Sequence, residues 1–292
     1  MELKPIQKLK TNKIIRFLFF PLIIARRFYH MQRNKEIVIF QKLFANVKEG
    51  SLIVSINDIS GSYEIDARSH LLQRILINKN YEPKTVSSIK RFIDYNKDII
   101  NVGANVGIFT IMMAELIDVN AKVLAIEPTP LAFKYLKKNV ERNCQTNKVL
   151  FYNGICTDKK GAYSINTIVG KEEYSSIGDS IHMNHLNENI IKINVDGETV
   201  DNLVNKYTLN PGLLVIDVEG AEMKVLKGAE ETLLTHKPII ISELDDQLLN
   251  NQDTSTKEVI GFLSGLGYII RNVENGKVIG YPFTGNIIAI SV

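Results

Sequence analysis

The chain has 292 residues, of which 45% are hydrophobic and 23% are charged, and it contains two cysteines and no tryptophan. This composition is typical of a folded protein and excludes wholesale disorder. Cys144 and Cys156 are too few for a disulfide-framed secreted fold and lack the spaced partners of a zinc site, so a reducing, cytoplasmic setting is expected.

Positive charge is concentrated in residues 1–35, which hold nine Lys or Arg residues and one Glu, a net charge of +8. The other 257 residues hold 26 basic and 31 acidic residues, a net charge of −5. A slightly acidic body lacks the basic stripe of most nucleic-acid-binding proteins, so nucleic acid is not an expected partner.

The same segment contains an uninterrupted apolar run at residues 17–25 (FLFFPLIIA). The run is too short to span a bilayer, which takes about 20 residues. Arg26 and Arg27 follow it where a signal peptide would have small residues. Two interpretations stay open: a segment that binds the membrane surface, or a helix packed on the body with a solvated basic flank. Pro21 interrupts any continuous amphipathic helix.

Residues 36–97 are predicted to form a small mixed α/β extension. A strand is expected at 52–56 and helices at 69–77 and 85–95, where apolar residues recur at helical spacing. We expect this extension to cover an edge or the mouth of the main domain, residues 98–292.

From residue 98 onward, short apolar runs alternate with amphipathic helices. Near-continuous apolar strands that alternate with helices predict a parallel sheet covered on both faces, which is an α/β fold. The predicted strands are 98–102, 122–126, 148–152, 213–216, 239–242, 268–272 and 286–291, and the predicted helices include 111–117, 130–143 and 221–234.

Residues 154–198 interrupt this alternation and are polar at 171–179 (KEEYSSIGD). An insertion of this kind above an α/β sheet is often a lid or a substrate-binding loop. His182 and His185 can share a helical face, but no further ligand stands at a recognisable spacing. No metal site is therefore predicted.

A glycine turn and an acidic residue follow the first two strands of the main domain. Gly103 and Gly107 let a ligand approach the backbone at the start of a helix. Their spacing differs from the G-x-G-x-x-G fingerprint, which disfavours a pyrophosphate site and a nicotinamide-dependent dehydrogenase. Glu127 stands twenty residues after Gly107. Its carboxylate can accept hydrogen bonds from both hydroxyls of a ribose, or it can simply be solvated. Together these features favour an adenosine-type cofactor.

Carboxylates gather at the ends of two later strands. Asp217, Glu219 and Glu222 follow one strand and Glu243 ends the next. Open α/β folds bind ligands at this edge of the sheet. Side chains alternate along a strand, so Asp217 and Glu219 are expected to face different ways unless the chain turns. Glu222 can instead complement the N-terminus of the helix that it opens.

The chain resembles the FkbM-type S-adenosylmethionine-dependent methyltransferases over roughly residues 60–292. The resemblance is carried, in the family's order, by residues 101–109 (NVGANVGIF), 125–128 (AIEP), 175–177 (SSI), 214–228 (LVIDVEGAEMKVLKG) and 238–244 (PIIISEL). It implies a Rossmann-like class I methyltransferase fold with a seven-stranded sheet whose last strand is antiparallel.

The resemblance also implies that S-adenosylmethionine lies over the turn after the first strand, with its ribose on Glu127 and its adenine near residues 153–155. The family usually has Asp where this chain has Asn101, a difference that removes a charge near the cofactor. The predicted cofactor-binding residues are Asn101, Gly103, Ala104, Asn105, Gly107, Glu127, Pro128 and Gly154.

For catalysis, Asp217 or Glu219 is predicted to orient or deprotonate an acceptor hydroxyl, with Glu243 in reserve. Their alternative roles are structural support or helix capping. Ser175 and Ser176 match a recurrent family position and either bind polar groups of the substrate or shape a turn.

The family methylates oxygen atoms of diverse molecules. The basic, apolar N-terminus favours a sugar hydroxyl of a bacterial surface glycan or lipid-linked glycan precursor, methylated at the cytoplasmic face of the membrane, with residues 1–35 in peripheral contact. The alternative is a non-catalytic, membrane-peripheral adaptor on a methyltransferase scaffold. Asn101 supports that alternative, whereas the intact Glu127, Asp217 and Glu219 oppose it.

Overall fold

The computed structural model describes residues 47–143, 145–177 and 189–292, together with residues 35 and 38. The chain divides into two compact units, Met1–Lys48 and Glu49–Val292, and the second is the one described below. The predicted apolar segment at 17–25, Cys144, His182 and His185 lie outside the described residues. Within those ranges, no helix is both long and apolar enough to cross a membrane.

The described residues form strands and helices in the following order. The strands are β1 (Ser51–Ile56), β2 (Ile59–Asp66), β3 (Asp98–Val102), β4 (Val123–Ile126), β5 (Val149–Tyr152), β6 (Ile155–Cys156), β7 (Gly161–Ile168), β8 (Ser176–Ile177), β9 (Ile190–Glu198), β10 (Pro211–Ile216), β11 (Ile239–Asp245), β12 (Tyr268–Asn272) and β13 (Thr284–Ser291). The helices are α1 (His70–Asn78), α2 (Pro83–Phe92), α3 (Ile108–Leu116), α4 (Pro130–Arg142), α5 (Val200–Tyr207), α6 (Glu222–Lys227), α7 (Glu230–Thr235), α8 (Asp246–Asn250) and α9 (Thr256–Gly265), and a short 3-10 helix lies at Glu172–Tyr174.

The central sheet has seven strands in the order β12-β13-β11-β10-β3-β4-β5. β13 runs antiparallel to both of its neighbours, and the other contacts are parallel. Every residue of β4 is buried, as a parallel strand covered on both faces requires. Ile100 and Val102 of β3 share a buried cluster with Leu203 of α5 and Leu226 of α6. The predicted α/β class and the antiparallel last strand are confirmed.

The chain reverses its direction of travel across the sheet between β3 and β10. From β3 it builds outward through β4 to β5, and from β10 it builds the other way to β11. In open α/β sheets the crevice at the carboxyl ends of such neighbouring strands is the usual ligand site. The topology therefore places the site where β3 and β10 end.

The described part of residues 154–198, predicted as an insertion, contains four strands that form a second sheet in the order β6-β9-β7-β8. β7 and β9 pair antiparallel over their whole length. Gly197 lies in this pairing, and a Cβ there would come within 2.4 Å of the Tyr163 ring. Polar residues alternate with apolar ones in these strands, which explains why no continuous apolar run marked them.

An N-terminal hairpin, β1 and β2, packs against α4. The amide of Asn139 in α4 accepts a hydrogen bond from the Glu64 backbone N (2.7 Å) and donates to the Glu64 carbonyl (3.0 Å) and the Val106 carbonyl (2.8 Å). Asn139 is fully buried, so its side chain replaces the missing strand partner of β2.

The predicted helix at 221–234 is two short helices, α6 and α7, separated at Gly228. A Cβ on Gly228 would lie 2.1 Å from the carbonyl oxygen of Thr157, which directly follows β6, so the chain bends here to accommodate that segment. The prediction of a single helix was wrong because this contact comes from a distant segment. The predicted strand at 52–56 and the helices at 69–77, 85–95 and 130–143 correspond to β1, α1, α2 and α4 with shifted ends.

Candidate active site

A cavity of about 240 Å³ opens at the carboxyl ends of the central strands. Its walls come from the turn after β3, the ends of β4, β10 and β11, the second sheet and residues of α1 and the loop before α2. The predicted site residues in this lining are Gly103, Ala104, Asn105, Glu127, Pro128, Gly154, Ser175, Ser176, Asp217, Glu219 and Glu243.

The turn after β3 is held tightly against the turn after β10. Gly103 has a φ of +82°, and a Cβ on it would lie 1.8 Å from the Asp217 carbonyl oxygen. The backbone N–H groups of Gly103 and Ala104 donate to the Ile126 carbonyl at the end of β4 (3.0 and 2.9 Å). Glycine is therefore required at 103 both for its conformation and for the close approach.

Glu127 is fixed by its neighbours with its carboxylate toward this turn. Its Oε1 accepts hydrogen bonds from the Thr129 backbone N (2.9 Å) and Thr129 Oγ1 (2.6 Å), and its Oε2 accepts from the Asn105 backbone N (2.9 Å). Burial raises the pKa of Glu127, and these hydrogen bonds oppose that rise. Because a carboxylate oxygen can accept two hydrogen bonds, Oε2 retains capacity for a ligand hydroxyl.

Two predicted cofactor-binding residues do not line the described cavity. Asn101 is buried in β3, and its Nδ2 donates to Thr110 Oγ1 of α3 (2.8 Å). Gly107 caps α3 with a φ of +92°, and a Cβ there would lie 2.7 Å from Leu136 Cδ1. The Asn101 side chain is turned toward α3, and Gly107 serves helix packing; direct cofactor contact stays a prediction for both.

Asp217 and Glu219 face the same cavity, although they were expected to diverge. The chain turns immediately after β10, with φ angles of +51° at Glu219 and +97° at Gly220. A non-glycine residue in this left-handed region is strained, and such strain clusters at functional sites. The turn overrides the alternation that an extended strand would have imposed.

Glu82, which the sequence analysis missed, completes a cluster with Asp217 and Glu243. Each contributes one carboxylate oxygen, and these three oxygens lie within 4.8 Å of one another. Glu82 precedes α2 in a left-handed conformation, with a φ of +40°. No motif marked Glu82; the expectation that the extension covers the mouth of the domain was the only available signal.

Burial and mutual repulsion raise the pKa values of the clustered carboxyl groups. Burial raises the pKa of Asp217 well above its usual range, and Glu243 and Glu82 add to the rise. Burial and the nearby Glu243 raise the pKa of Glu219 to about 8, against the opposing charge of Arg74. The cluster therefore lacks enough positive charge to ionise fully at neutral pH.

The two predicted substrate serines have different surroundings. Ser175 Oγ lies 2.8 Å from Thr167 Oγ1 and 2.8 Å from the Glu172 carbonyl oxygen, contacts that shape the turn. Ser176 is 6% exposed, and its Oγ has no hydrogen-bond partner among the residues described. Of the two, Ser176 has the hydroxyl that is available to a ligand.

Known proteins resemble part of this chain. The Methyltransferase FkbM domain family matches residues 101–270. Methyltransferase sdnD of Sordaria araneosa is 24% identical over 160 residues, covering 47% of this chain and 61% of that protein. Methyltransferase 1 of Beauveria bassiana (strain ARSEF 2860) is 26% identical over 146 residues, covering 46% and 58%. The chain thus spans about three fifths of these relatives.

Among solved structures, the FkbM methyltransferase of Methylobacillus flagellatus KT superposes with a TM-score of 0.45 at 15% identity. The superposition covers 68% of this chain and 44% of that chain. The family match covers more than half of the 292 residues and includes the glycine turn, Glu127, Asp217, Glu219 and Glu243, whereas Glu82 precedes it. The chain therefore belongs to the FkbM methyltransferase domain family, whose cofactor is S-adenosylmethionine.

Proposed function

We propose that the protein transfers a methyl group from S-adenosylmethionine to a hydroxyl oxygen. The observation that carries this proposal is the presence of Asp217, Glu219 and Glu243 in the same cavity as Glu127. Carboxylates beside a methyl donor suit an acceptor that must be oriented and must lose a proton, as a hydroxyl does.

The lining residues fit the donor. The glycine at 103 brings the backbone close to the cavity, and Glu127 Oε2 can accept a hydrogen bond from a ribose hydroxyl. Gly154 has no room for a side chain, because a Cβ there would lie 2.4 Å from the Asp196 carbonyl oxygen. When bound, S-adenosylmethionine supplies an electrophilic methyl group on a sulfonium.

Asp217 or Glu219 orients the acceptor hydroxyl and takes its proton, and Glu243 is the third candidate for this role. A positioned carboxylate contributes about 10²–10⁴-fold to such a step. Holding the two reactants in line is worth about 7–11 kcal/mol more. Ser176 Oγ, which is unpartnered in the described structure, can donate to a polar group of either ligand.

The acceptor that we favour is a sugar hydroxyl of a bacterial surface glycan or lipid-linked glycan precursor. Its support is the basic, apolar segment 1–35, which suits peripheral contact with the cytoplasmic face of a membrane. Deletion of residues 1–35 should abolish co-sedimentation with anionic liposomes. Unchanged sedimentation would remove the reason for placing the acceptor at a membrane.

Titration calorimetry of S-adenosylmethionine tests the donor site. We expect saturable binding that Glu127→Ala abolishes and that Glu141→Ala, a change of an exposed glutamate on α4, leaves unchanged. Asp217→Asn should keep cofactor binding and lose transfer of radiolabelled methyl groups to sugar acceptors. Full turnover in Asp217→Asn would exclude Asp217 as the base.

The competing proposal is a non-catalytic adaptor on the methyltransferase scaffold. Asn101 was its support, yet the Asn101 side chain bonds to Thr110 and does not line the cavity. The adaptor proposal would be preferred over the methyltransferase proposal only if the intact chain failed to bind S-adenosylmethionine both alone and with acceptor sugars present.

A further inference from the structure

We propose that the carboxylates of Glu82, Asp217 and Glu243 bind a divalent metal ion in the active-site cavity, and that this ion holds the acceptor hydroxyl. The three side chains come from the loop before α2, the turn after β10 and β11, so the fold alone brings them together. Because the three residues are far apart in sequence, no motif of closely spaced ligands could predict the site.

The spacing of the three carboxylates suits one cation. Their nearest oxygens all lie within 4.8 Å of one another. Oxygen ligands lie about 2.1 Å from Mg²⁺ and about 2.4 Å from Ca²⁺, so two ligands on opposite sides of one ion are about 4–5 Å apart. A set of carboxylate oxygens without nitrogen or sulfur favours a hard cation such as Mg²⁺, Mn²⁺ or Ca²⁺.

A separate observation points to missing positive charge in a space that borders two of the three proposed ligands, Asp217 and Glu243. Glu222 is 2% exposed, and its Oε2 has no hydrogen-bond partner among the described residues, whereas Oε1 accepts from the Gly220 backbone N (3.0 Å). Glu222 lines a smaller cavity of about 120 Å³ together with Asp217, Glu219 and Glu243. A buried carboxylate oxygen without a partner is costly, and an ion in the neighbouring space would offset that cost.

The charge balance of the main cavity agrees with this inference. Within its described lining, Arg74 is the single Lys or Arg side chain. Its guanidinium carbon lies 5.9 Å from the centre of the Tyr81 ring. The carboxyl side chains of that lining are Glu82, Glu127, Glu172, Glu173, Asp217, Glu219 and Glu243. One guanidinium cannot neutralise these seven carboxyl groups, so a divalent cation would offset much of their remaining negative charge.

The chemical role of the ion depends on the proposed methyl transfer. A coordinated hydroxyl loses its proton more easily, because the cation stabilises the alkoxide oxygen. In the balanced step, the bond from that oxygen to the methyl carbon forms as the carbon–sulfur bond breaks. Glu219, left outside the three ligands, receives the proton. The products are a methyl ether, S-adenosylhomocysteine and the proton held on Glu219.

Terbium luminescence tests cation binding without any substrate. The chain has no tryptophan, and Tyr81 precedes the ligand Glu82 in the cavity lining, so a bound Tb³⁺ would be sensitised by this tyrosine. We expect a saturable signal from the cofactor-free protein that Mg²⁺, Mn²⁺ or Ca²⁺ displaces. Tyr81→Phe should lower the intensity, because it replaces the phenol ring that sensitises the ion.

Charge-removing variants locate the ion. Glu82→Gln and Glu243→Gln should each weaken Tb³⁺ binding by at least about tenfold. Glu274→Gln, which changes an exposed glutamate after β12, is the matched control and should bind as the parent chain does. Circular dichroism on each variant confirms that it is folded.

Two results would overturn the proposal. The first is the absence of saturable Tb³⁺ binding, and the second is equal affinity in Glu82→Gln, Glu243→Gln and the parent chain. If those variants instead lose S-adenosylmethionine affinity, the cluster binds the ammonium of the donor. Loss of donor binding in a parent chain that still binds Tb³⁺ would refute the methyl transfer and leave the metal site standing.

Discussion

At the scale of single residues, the site combines strained backbone with side chains held in fixed positions. Asn105, Glu219 and Glu82 all line the cavity with positive φ angles, of +46°, +51° and +40°. Such conformations cost about 1–3 kcal/mol each and persist because the surrounding structure imposes them. The turns at Gly103 and Asp217 touch, so a change in one is transmitted directly to the other.

Gly103→Ala tests this contact. We expect the free energy of unfolding to fall by about 3–5 kcal/mol, because the added Cβ overlaps the Asp217 carbonyl oxygen in addition to the cost of the positive φ. Gly267→Ala is the matched control: Gly267 has a φ of +85°, and a Cβ there meets nothing within 4 Å. It should lose only about 1–2 kcal/mol in urea unfolding. Equal losses would show that the turn can move apart.

Substitutions of Ser175 and Ser176 are expected to have different effects on stability and on ligand binding. Ser175→Ala should lower the free energy of unfolding by about 1 kcal/mol, since it removes the hydrogen bonds of the turn. Ser176→Ala should leave stability unchanged or higher, because it removes an unpaired buried hydroxyl, and should weaken ligand binding. Chemical unfolding and S-adenosylmethionine titration measure both effects. The opposite assignment, with Ser176→Ala the less stable variant, would contradict this interpretation.

At the scale of elements, the sequence predicted best the strands that are buried on both faces. β4 is a continuous apolar run and β3 is buried at four of its five residues, and both were found nearly to the residue, whereas β2, with exposed Ser60 and Gly61, was missed. Local pattern also could not reveal contacts between distant segments, such as Gly228 against Thr157 or Glu82 beside Asp217. Glu127 and the carboxylates after β10 were predictable because strand ends define the ligand edge of an α/β sheet.

The buried amide of Asn139 is one of the contacts that hold the hairpin against α4. Asn139→Ala should lower the free energy of unfolding by about 2–4 kcal/mol, because it leaves backbone groups of Glu64 and Val106 without partners in a buried place. Lys138→Ala removes a surface ion pair with Glu64 (3.0 Å) and should cost at most about 1 kcal/mol. Thermal or urea unfolding distinguishes them. Similar costs would mean that water replaces the lost amide.

At the scale of the whole molecule, the excess of acid in one cavity makes stability depend on pH. Burial raises the pKa of Glu172 to about 7, and the nearby Glu173 and Asp66 contribute to the rise. The folded state therefore holds this proton more tightly than the unfolded chain does. The contribution of Glu172 to stability is favourable at low pH and is lost as the pH rises from about 4.5 through 7.

Glu172→Gln removes this linkage while it keeps an oxygen that can accept from the Gly170 backbone N (2.8 Å). Relative to the parent chain, the variant should gain stability at pH 8 and gain little or none at pH 5. Unfolding midpoints measured at the two pH values give the comparison, and Glu230→Gln, at an exposed position, provides the baseline. A gain of equal size at both pH values would point to packing rather than charge.

The cavity is built from two groups of residues that belong to different parts of the fold. Gly103, Glu127 and Asp217 stand at the ends of central strands, where any shift would disturb the sheet. Arg74, Tyr81 and Glu82 come from the α1–α2 region, which precedes that sheet. Changes in the second group can therefore reshape the cavity while the sheet that carries the first group stays in place.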